Sequence, residues 1–511
     1  MVANSPTKNC NTGPSVNDLW PKGPNSLSNL LKVLLRWRCY QVALVWDLSK
    51  AYHSIHTTKR EKFLRLIVWR FGKLKEEWSV WGFDRVAFGD VPASVFLELV
   101  KELAGALGIE IDPEPTRKFA EDGYVDDNLS GGTEEQVNEM IGEIYVIEGK
   151  FSYTGFVSRI LELVGLSPKV MVRSGCKDPA AIEKLGGRVL GQIWKTNLDQ
   201  IIFKLEVNLH EKVRGVLTGP ALTVDTLWTL EDEVFTRRKV LSIISSFYDP
   251  MGLISAYLVI FKIMMRETTA LPDLDWDDPL PKEMQDDWKS AIRMLVEQEE
   301  IVFDRCTRPS NALGRPELVG YWDGSLLAYA ALLYIRWLLN TDPPSWSASL
   351  LCAKVRVTPV SGLTAPRTEL NGSVVLGRVI DSAIPSLPVK PCRISMFGDS
   401  QCTISALESV TAVLGPYFAN RILELESTRN GWGTLNLDNE MKETPLKLVL
   451  AEDDPILVDP VYHTAGMILR ENKFYTFVNH VSSLRGMSSF NLIMGYSEAV
   501  QPNNFLIRLP P

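Results

Sequence analysis

Three short apolar runs in this sequence end on an aspartate, and that pattern limits the folds open to it. Val42-Ala43-Leu44-Val45-Trp46 runs into Asp47, Val319-Gly320-Tyr321-Trp322 into Asp323, and Ile394-Ser395-Met396-Phe397 into Gly398-Asp399. Runs of this length suit buried strands. A carboxylate at the end of a buried strand is costly unless it is paired or bound to a metal. A fourth place, Tyr124-Val125-Asp126-Asp127, sets two carboxylates side by side between strand formers and Leu129-Ser130-Gly131-Gly132. It reads as a tight β-hairpin around an Asp-Asp-Asn corner. Strand side chains alternate faces, so the strand alone points only one of the two carboxylates at a given site. A solvated turn explains these four residues equally well, and the rest of the chain has to decide.

At 511 residues the chain is too long for one core, and roughly three domains are expected. A hydrophobic content of 45% with mean hydropathy near zero describes a globular protein. The longest apolar run, Gly252 to Phe261, is too short to span a bilayer, and Met1 to Pro14 carries no signal-peptide core. The seven cysteines are scattered without a CxxC pair, which argues against zinc and against a disulfide framework. A reducing intracellular setting is expected. Net charge is −8, yet Leu31 to Lys75 carries eleven Lys/Arg against Asp47 and Glu61. A basic stripe beside a carboxylate cluster suits a phosphate-backbone channel, and an ordinary solvated helix face suits it too.

Taken in order, residues 1–25 read as an extended lead-in and Leu27 to Tyr40 as a helix. Thr58 with Glu61 forms a capping box ahead of a helix with Phe63, Leu64, Ile67 and Phe71 on one side. Gly89-Asp90-Val91-Pro92 leads into a helix patterned by Phe96, Leu97, Val100, Leu103 and Leu107. That helix start is a place for backbone N–H groups to meet a phosphate, or a routine turn. Thr133 and Gln136 cap the next helix. Val189 to Trp194 and Ile201 to Leu205 read as a hairpin around Asn197-Leu198-Asp199. Lys239 to Phe247, Gly252 to Met265 and the Met284, Trp288, Ile292, Leu295 face read as helices. The punctuated stretch Thr307 to Pro316 is a candidate domain boundary. Beyond it, Asp323 at a strand end, Glu369 in a helix started by Pro366, and Asp399 at a strand end follow a βββαβα-like order. That order suits a two-metal nuclease site.

These residues resemble a known family. Asp47-Leu48-Ser49-Lys50-Ala51-Tyr52, Phe88-Gly89-Asp90-Val91-Pro92-Ala93, Tyr124 to Asp127 and Leu190-Gly191 come in the order of reverse-transcriptase palm motifs. Asn17-Asp18-Leu19 resembles the lead-in to that palm, and Asp249-Pro250-Met251-Gly252-Leu253 the connecting region. Trp322-Asp323-Gly324-Ser325, Arg367-Thr368-Glu369-Leu370 and Gly398-Asp399-Ser400 look like the attached ribonuclease H. Spacing and flanks look like the Pao/BEL class of LTR retrotransposon polyproteins.

The resemblance implies an α+β multidomain chain. Residues 1–25 would be a lead-in and 26–205 a palm with an antiparallel sheet, helices and partial fingers. Residues 206–310 would be a helical thumb or connection, 316–433 a ribonuclease H-like mixed α/β domain, and 434–511 a divergent tail. It implies RNA-directed DNA polymerisation with cleavage of RNA–DNA hybrids. Partners would be an RNA template, a DNA primer, the hybrid and dNTPs, in a cytoplasmic particle. Asp47, Asp126 and Asp127 would hold two Mg²⁺ ions, as would Asp323, Glu369 and Asp399, with Mn²⁺ able to substitute. Leu48, Tyr52, Phe88, Gly89, Tyr124, Leu190 and Gly191 would line nucleotide, primer and template, with Tyr52 blocking a ribose 2′-OH.

The sequence departs from the family pattern in three ways. About half of the fingers is absent, Phe88 stands where many retroviral-type enzymes carry Gln, and the segment after Val461-Tyr462-His463-Thr464-Ala465-Gly466 lacks the expected fourth carboxylate. These departures keep a second reading open: a degenerate, non-catalytic retrotransposon-derived fragment that binds nucleic acid.

Overall fold

A computed structural model describes residues 14–433 and 447–449, apart from 25–26, 65, 70–76, 111–112, 114–115, 117–118, 120, 211, 214–215, 218, 299, 399 and 409–413. Its described residues form a mixed α/β chain with several sheets, in two compact units that divide between Gln200 and Ile201, unit 1 before that point and unit 2 after it.

Unit 1 is built on β1 (Val42–Leu48). Ala43, Leu44, Val45 and Trp46 are all buried, so neither face of the strand meets water. A helix precedes it, α1 (Leu30–Cys39), and a long helix follows, α2 (Ala93–Gly108). Next come β2 (Gly123–Tyr124), β3 (Asp127–Gly132), α3 (Glu134–Ile141), α4 (Phe156–Glu162) and β4 (Pro168–Arg173). The sheet order is β2-β3-β1-β4, antiparallel throughout. Leu44, Trp46 and Leu48 share a core with Leu97 and Ala104 of α2 and with Phe156 and Ile160 of α4. Burying such a side chain contributes about 2–3 kcal/mol, and this packing is what makes the strand rigid. Thr133 and Gln136 form the expected capping box on α3.

Four local expectations are corrected. The box at Thr58 and Glu61 forms (Thr58 N donates to Glu61 Oε2 at 2.7 Å), but it opens only a 3-10 turn, Glu61–Leu64. Leu66–Trp69 then pairs with Ser79–Gly82 as strands, because a β-branched and aromatic run with a partner outweighs the cap. Phe71 lies outside the described residues. Leu190 and Gly191 are not inside a strand; both have positive φ, 45° and 82°, and turn Arg188–Val189 back on Gln192–Lys195. The apolar pattern expected on α2 holds only in part: Leu97 is buried and Val100 packs on the core, but Phe96, Leu103 and Leu107 are exposed, whereas Glu98 and Lys101 are buried. The basic stripe is also not a uniform solvated face. Arg36 turns onto Asp122 and Glu121, and Arg38 is buried.

In unit 2, helices α5 (Arg237–Ser246), α6 (Ser255–Thr269) and α7 (Lys282–Val296) precede the main sheet. That sheet contains β5 (Ala312–Gly324), β6 (Ala328–Leu339) and β7 (Ser345–Val357). After α8 (Ala365–Ala383) come β8 (Arg393–Phe397), α9 (Gln401–Glu408), α10 (Pro416–Gly433) and β9 (Lys447–Val449). The order is β7-β6-β5-β8-β9, with β8 parallel to β5 and β9 parallel to β8. β5 starts at Ala312, inside the stretch read as a boundary, and β9 lies inside the segment read as tail. The Asp249 to Leu253 turn has a packing role. Asp249 accepts the amides of Leu253 and Ile254, both at 2.9 Å, and Ala353 of β7 donates to the Met251 carbonyl at 2.9 Å.

Candidate active sites

β1 and β3 place Asp47 directly opposite Asp127. Directly opposed residues of an antiparallel pair point to the same face, with Cα atoms roughly 5 Å apart. The two-residue turn between β2 and β3 is Val125-Asp126, one residue ahead of the expected Asp-Asp-Asn corner. Asp126 leaves the strand alternation there, which removes the constraint that only one of the adjacent carboxylates can serve one site. The register between β1 and β4 slips at Asp47/Leu48, an irregularity of the kind that re-aims a side chain.

The electrostatics bind the three aspartates together. The Asp127 carboxyl is pushed up to about 6 by burial, then by the charges of Asp126 and Asp47. The Tyr52 hydroxyl is pushed up to about 12 by burial, then by Asp126 and Glu98. Lys169 of β4 sets its ammonium 2.9 Å from Asp47 Oδ2. Asp47 and Asp126 line one cavity of about 760 Å³ with Phe88, Lys50, Lys150 and Lys169. Tyr52 meets Phe88 edge-on at 5.0 Å, and Phe88 is half exposed. Leu48 is buried in the core, and Tyr124 pairs with Asp127. Gly89 stands at positive φ, and its carbonyl accepts from Asn17 Nδ2 at 2.8 Å. Leu190 and Gly191 are absent from this cavity's lining.

Mg²⁺ is ordinarily held by one or two carboxylates plus waters and substrate phosphates, not by an all-protein cage. Among the described residues no three His, Cys, Asp or Glu side chains close on one point. The residues nevertheless fit a divalent cation. The charges of Asp126 and Asp47 raise the cost of ionising Asp127, and an ammonium already sits against Asp47.

Glu98, Lys101, Asp122 and Lys169 escape a reading of the sequence, and so do the contacts of Asn17. Glu98 accepts the Val125 amide at 2.7 Å, and Lys101 donates to the Val125 carbonyl at 2.9 Å. Burial pulls the Lys101 ammonium below its usual range, against the opposing pull of Glu98, Asp126 and Asp127. Their signal was an opposite-charge pair three apart inside an otherwise apolar helix face. Asn17 brackets the loop at Gly89 and Val91 from 72 residues away, which no local pattern reveals. Asp122, at the base of the hairpin, accepts from Arg36 at 3.2 Å and from Tyr40 at 3.1 Å.

Burial raises the Asp122 carboxyl from 3.8 to about 7, over the opposing pull of Arg36 and Tyr40. The folded chain therefore holds this proton more tightly than the unfolded one. The associated stability is fully present below about pH 4 and is lost as pH rises through 7. Unfolding of the wild type is expected to become easier between pH 4 and pH 8 by up to about 2–4 kcal/mol. Asp122→Asn should flatten that dependence in melts taken across the range, and parallel curves for the two proteins would refute it.

In unit 2 the backbones of β5 and α8 touch. A Cβ on Gly324 would lie 2.4 Å from the Glu369 nitrogen, and one on Gly372 2.9 Å from the Asp323 carbonyl oxygen. Only glycine allows that approach, and it brings Asp323 and Glu369 together at the end of β5. Both are buried, and Asp323 Oδ1 accepts the Gly324 amide at 2.7 Å. Asp399 lies outside the described residues, as do 461–469, where the fourth carboxylate was sought. The strand leading to Asp399 is in register with β5, Tyr321 opposite Phe397, and Gly398 packs against the Trp322 ring. Arg356, Arg378 and Arg421 line a groove of about 280 Å³ with Asn371 of α8. Among the described residues, no helix is long and apolar enough to cross a membrane.

No curated protein matches the chain. Among solved structures it is similar to the foamy viral protease-reverse transcriptase dRH in complex with double-stranded DNA, at 12% identity and a TM-score of 0.46. That match covers 86% of this chain and 62% of the other. The foamy viral protease-reverse transcriptase in complex with RNA/DNA hybrid is similar at 13% identity and a TM-score of 0.43, with 86% and 48% covered. This chain thus spans less than two thirds of either. Residues 236–400 match the family described as Pao retrotransposon-like RNaseH-like domain, a span that takes in Asp323 and Glu369. That segment, from α5 to the end of β8, belongs to the Pao retrotransposon RNaseH-like family.

Proposed function

We propose that unit 1 is a reverse-transcriptase palm that extends a DNA primer on an RNA template, and that unit 2 cleaves the RNA strand of the resulting hybrid. One observation carries the polymerase reading: Asp47 and Asp127 opposed in register, with Asp126 in the adjoining turn on the same cavity as Asp47. Asp47 and Asp126 would hold Mg²⁺, with Asp127 beside them. Bound there, the metal supplies a polarised 3′-hydroxyl and charge stabilisation for the departing pyrophosphate. Tyr52, braced by Phe88, would face the sugar of the incoming nucleotide and exclude a 2′-hydroxyl. Lys169 would give up Asp47 to the metal and remain as a cation near the phosphates.

In unit 2, Asp323 and Glu369, joined by Asp399, would hold the metals of a hybrid nuclease, and Arg356, Arg378 and Arg421 offer cations to backbone phosphates. The test uses the full chain with a primed RNA template and dNTPs, and separately with a labelled RNA–DNA hybrid, in Mg²⁺ and in EDTA. Extension and RNA cleavage that both require Mg²⁺ are expected. Hybrid binding without either reaction would leave only a binding role, and no binding at low salt would remove that too.

A further inference from the structure

The turn that presents Asp126 is held in a conformation its own residues do not favour. Val125 has φ 55°, in the left-handed region that β-branched residues rarely adopt. Observed outliers of this kind persist only where the surroundings over-determine them, and they gather at functional sites. Here the surroundings are two charged side chains of α2. Glu98 Oε1 accepts the Val125 N–H at 2.7 Å and Lys101 Nζ donates to the Val125 carbonyl at 2.9 Å. The two are 3.4 Å apart and almost wholly buried, at 5% and 2% exposure. Gly123 leaves room for the ammonium, since a Cβ there would lie 2.3 Å from Lys101 Nζ. A buried ion pair is weak evidence for stability, because well-packed apolar residues often do as well. What this pair does that an apolar pair cannot is grip both backbone polar groups of one residue, on the two peptide units that flank it, through charge-assisted hydrogen bonds.

The geometry points to Glu98 and Lys101 as positioning residues that hold Val125 left-handed and thereby aim Asp126 out of the strand alternation. The inference rests on Asp126 being a cation ligand, as proposed above. Glu98 sets the amide side of the turn and Lys101 the carbonyl side. The need for both follows from Val125: glycine adopts positive φ about as readily as negative, and would need neither. A pair that merely stabilised the fold would have no such link to the residue at 125.

The experiment uses the full chain as wild type, Glu98→Gln, Lys101→Met, Val125→Gly and the Glu98→Gln/Val125→Gly double variant. Mn²⁺ alone is titrated by electron paramagnetic resonance against an Asp126→Ala blank. Hydrogen exchange is followed at residues 124–127, and melting is recorded alongside. The Val125 amide is expected to exchange at least tenfold faster in Glu98→Gln and Lys101→Met, and Mn²⁺ affinity to fall about tenfold. Adding Val125→Gly to Glu98→Gln should restore most of that affinity, which a merely structural role would not produce. Unchanged Val125 exchange and Mn²⁺ affinity in both single variants would overturn the inference, even with a lowered melting point. If Glu98→Gln does not fold, the wild type still decides: a Val125 amide that exchanges as fast as an exposed loop amide overturns it. A wild type that behaves as expected in exchange and Mn²⁺ binding but extends no primer leaves the positioning intact and removes the polymerase. A wild type with no Mn²⁺ affinity above the Asp126→Ala blank removes both.

Discussion

Asp126→Ala is expected to lower RNA-templated primer extension about 10³-fold, roughly 4 kcal/mol of lost transition-state stabilisation, while hybrid cleavage stays at the wild-type rate. The size follows from what the residue offers. Asp126 lies in a two-residue turn, on the same cavity as Asp47 and next to Asp127, whose charge cost it already raises. Removing it takes one of the carboxylates that make a divalent cation favourable there. The two sites belong to separate compact units, so the second supplies an internal control for folding. Removing a charge from a crowded carboxylate group should not weaken the fold: the melting point of the variant is expected to equal or exceed that of the wild type without metal. Equal extension by the two proteins would sink the assignment of Asp126, and loss of both activities would point to a folding defect instead.

What was legible in the sequence were features set by local chemistry. Each apolar run that meets an aspartate folds as a strand, at Val42–Leu48, Ala312–Gly324 and Arg393–Phe397. The hairpin at Tyr124 to Asp127 forms as its flanking residues require. The capping box at Thr133 opens a helix because Val137, Met140 and Ile141 then find a core. The same box at Thr58 does not, because the run after it finds a strand partner twelve residues on, Val80 opposite Val68. Pairing of that kind is invisible to a local rule. The partly misread face of α2 has the same origin. Phe96, Leu103 and Leu107 look like members of the core stripe with Leu97 and Val100, yet they face outward, and the helix turns Glu98 and Lys101 inward, where the backbone N–H and C=O of Val125 meet them as polar partners. The candidate sites were readable as lists of carboxylates. Their second layer, Glu98, Lys101, Asp122, Lys169 and the contacts of Asn17, was not, since each acts through a contact distant in sequence.

Gly324→Val is expected to lower the stability of unit 2 by about 3 kcal/mol and to cut hybrid cleavage by about 10²-fold. The cause is geometric. An added Cβ would lie 2.4 Å from the Glu369 nitrogen, 2.4 Å from the Thr368 carbonyl carbon and 2.6 Å from its oxygen. All three are backbone atoms, so no rotamer change relieves the overlap and α8 must move away from β5. Glu369 moves with the helix, and Asp323, fixed at the end of β5 by ten cross-strand partners on β6, does not. Misplacement of a catalytic group by about 1 Å is enough for a loss of that order. Alanine at 324 should show the same two effects in smaller measure, because it carries the same Cβ without the branch. Gly415→Ala, where an added Cβ meets nothing within 4 Å, should change neither melting nor cleavage. A Gly324→Val protein that melts and cleaves as the wild type does would show that β5 and α8 need not touch, and would remove the reason for pairing Asp323 with Glu369.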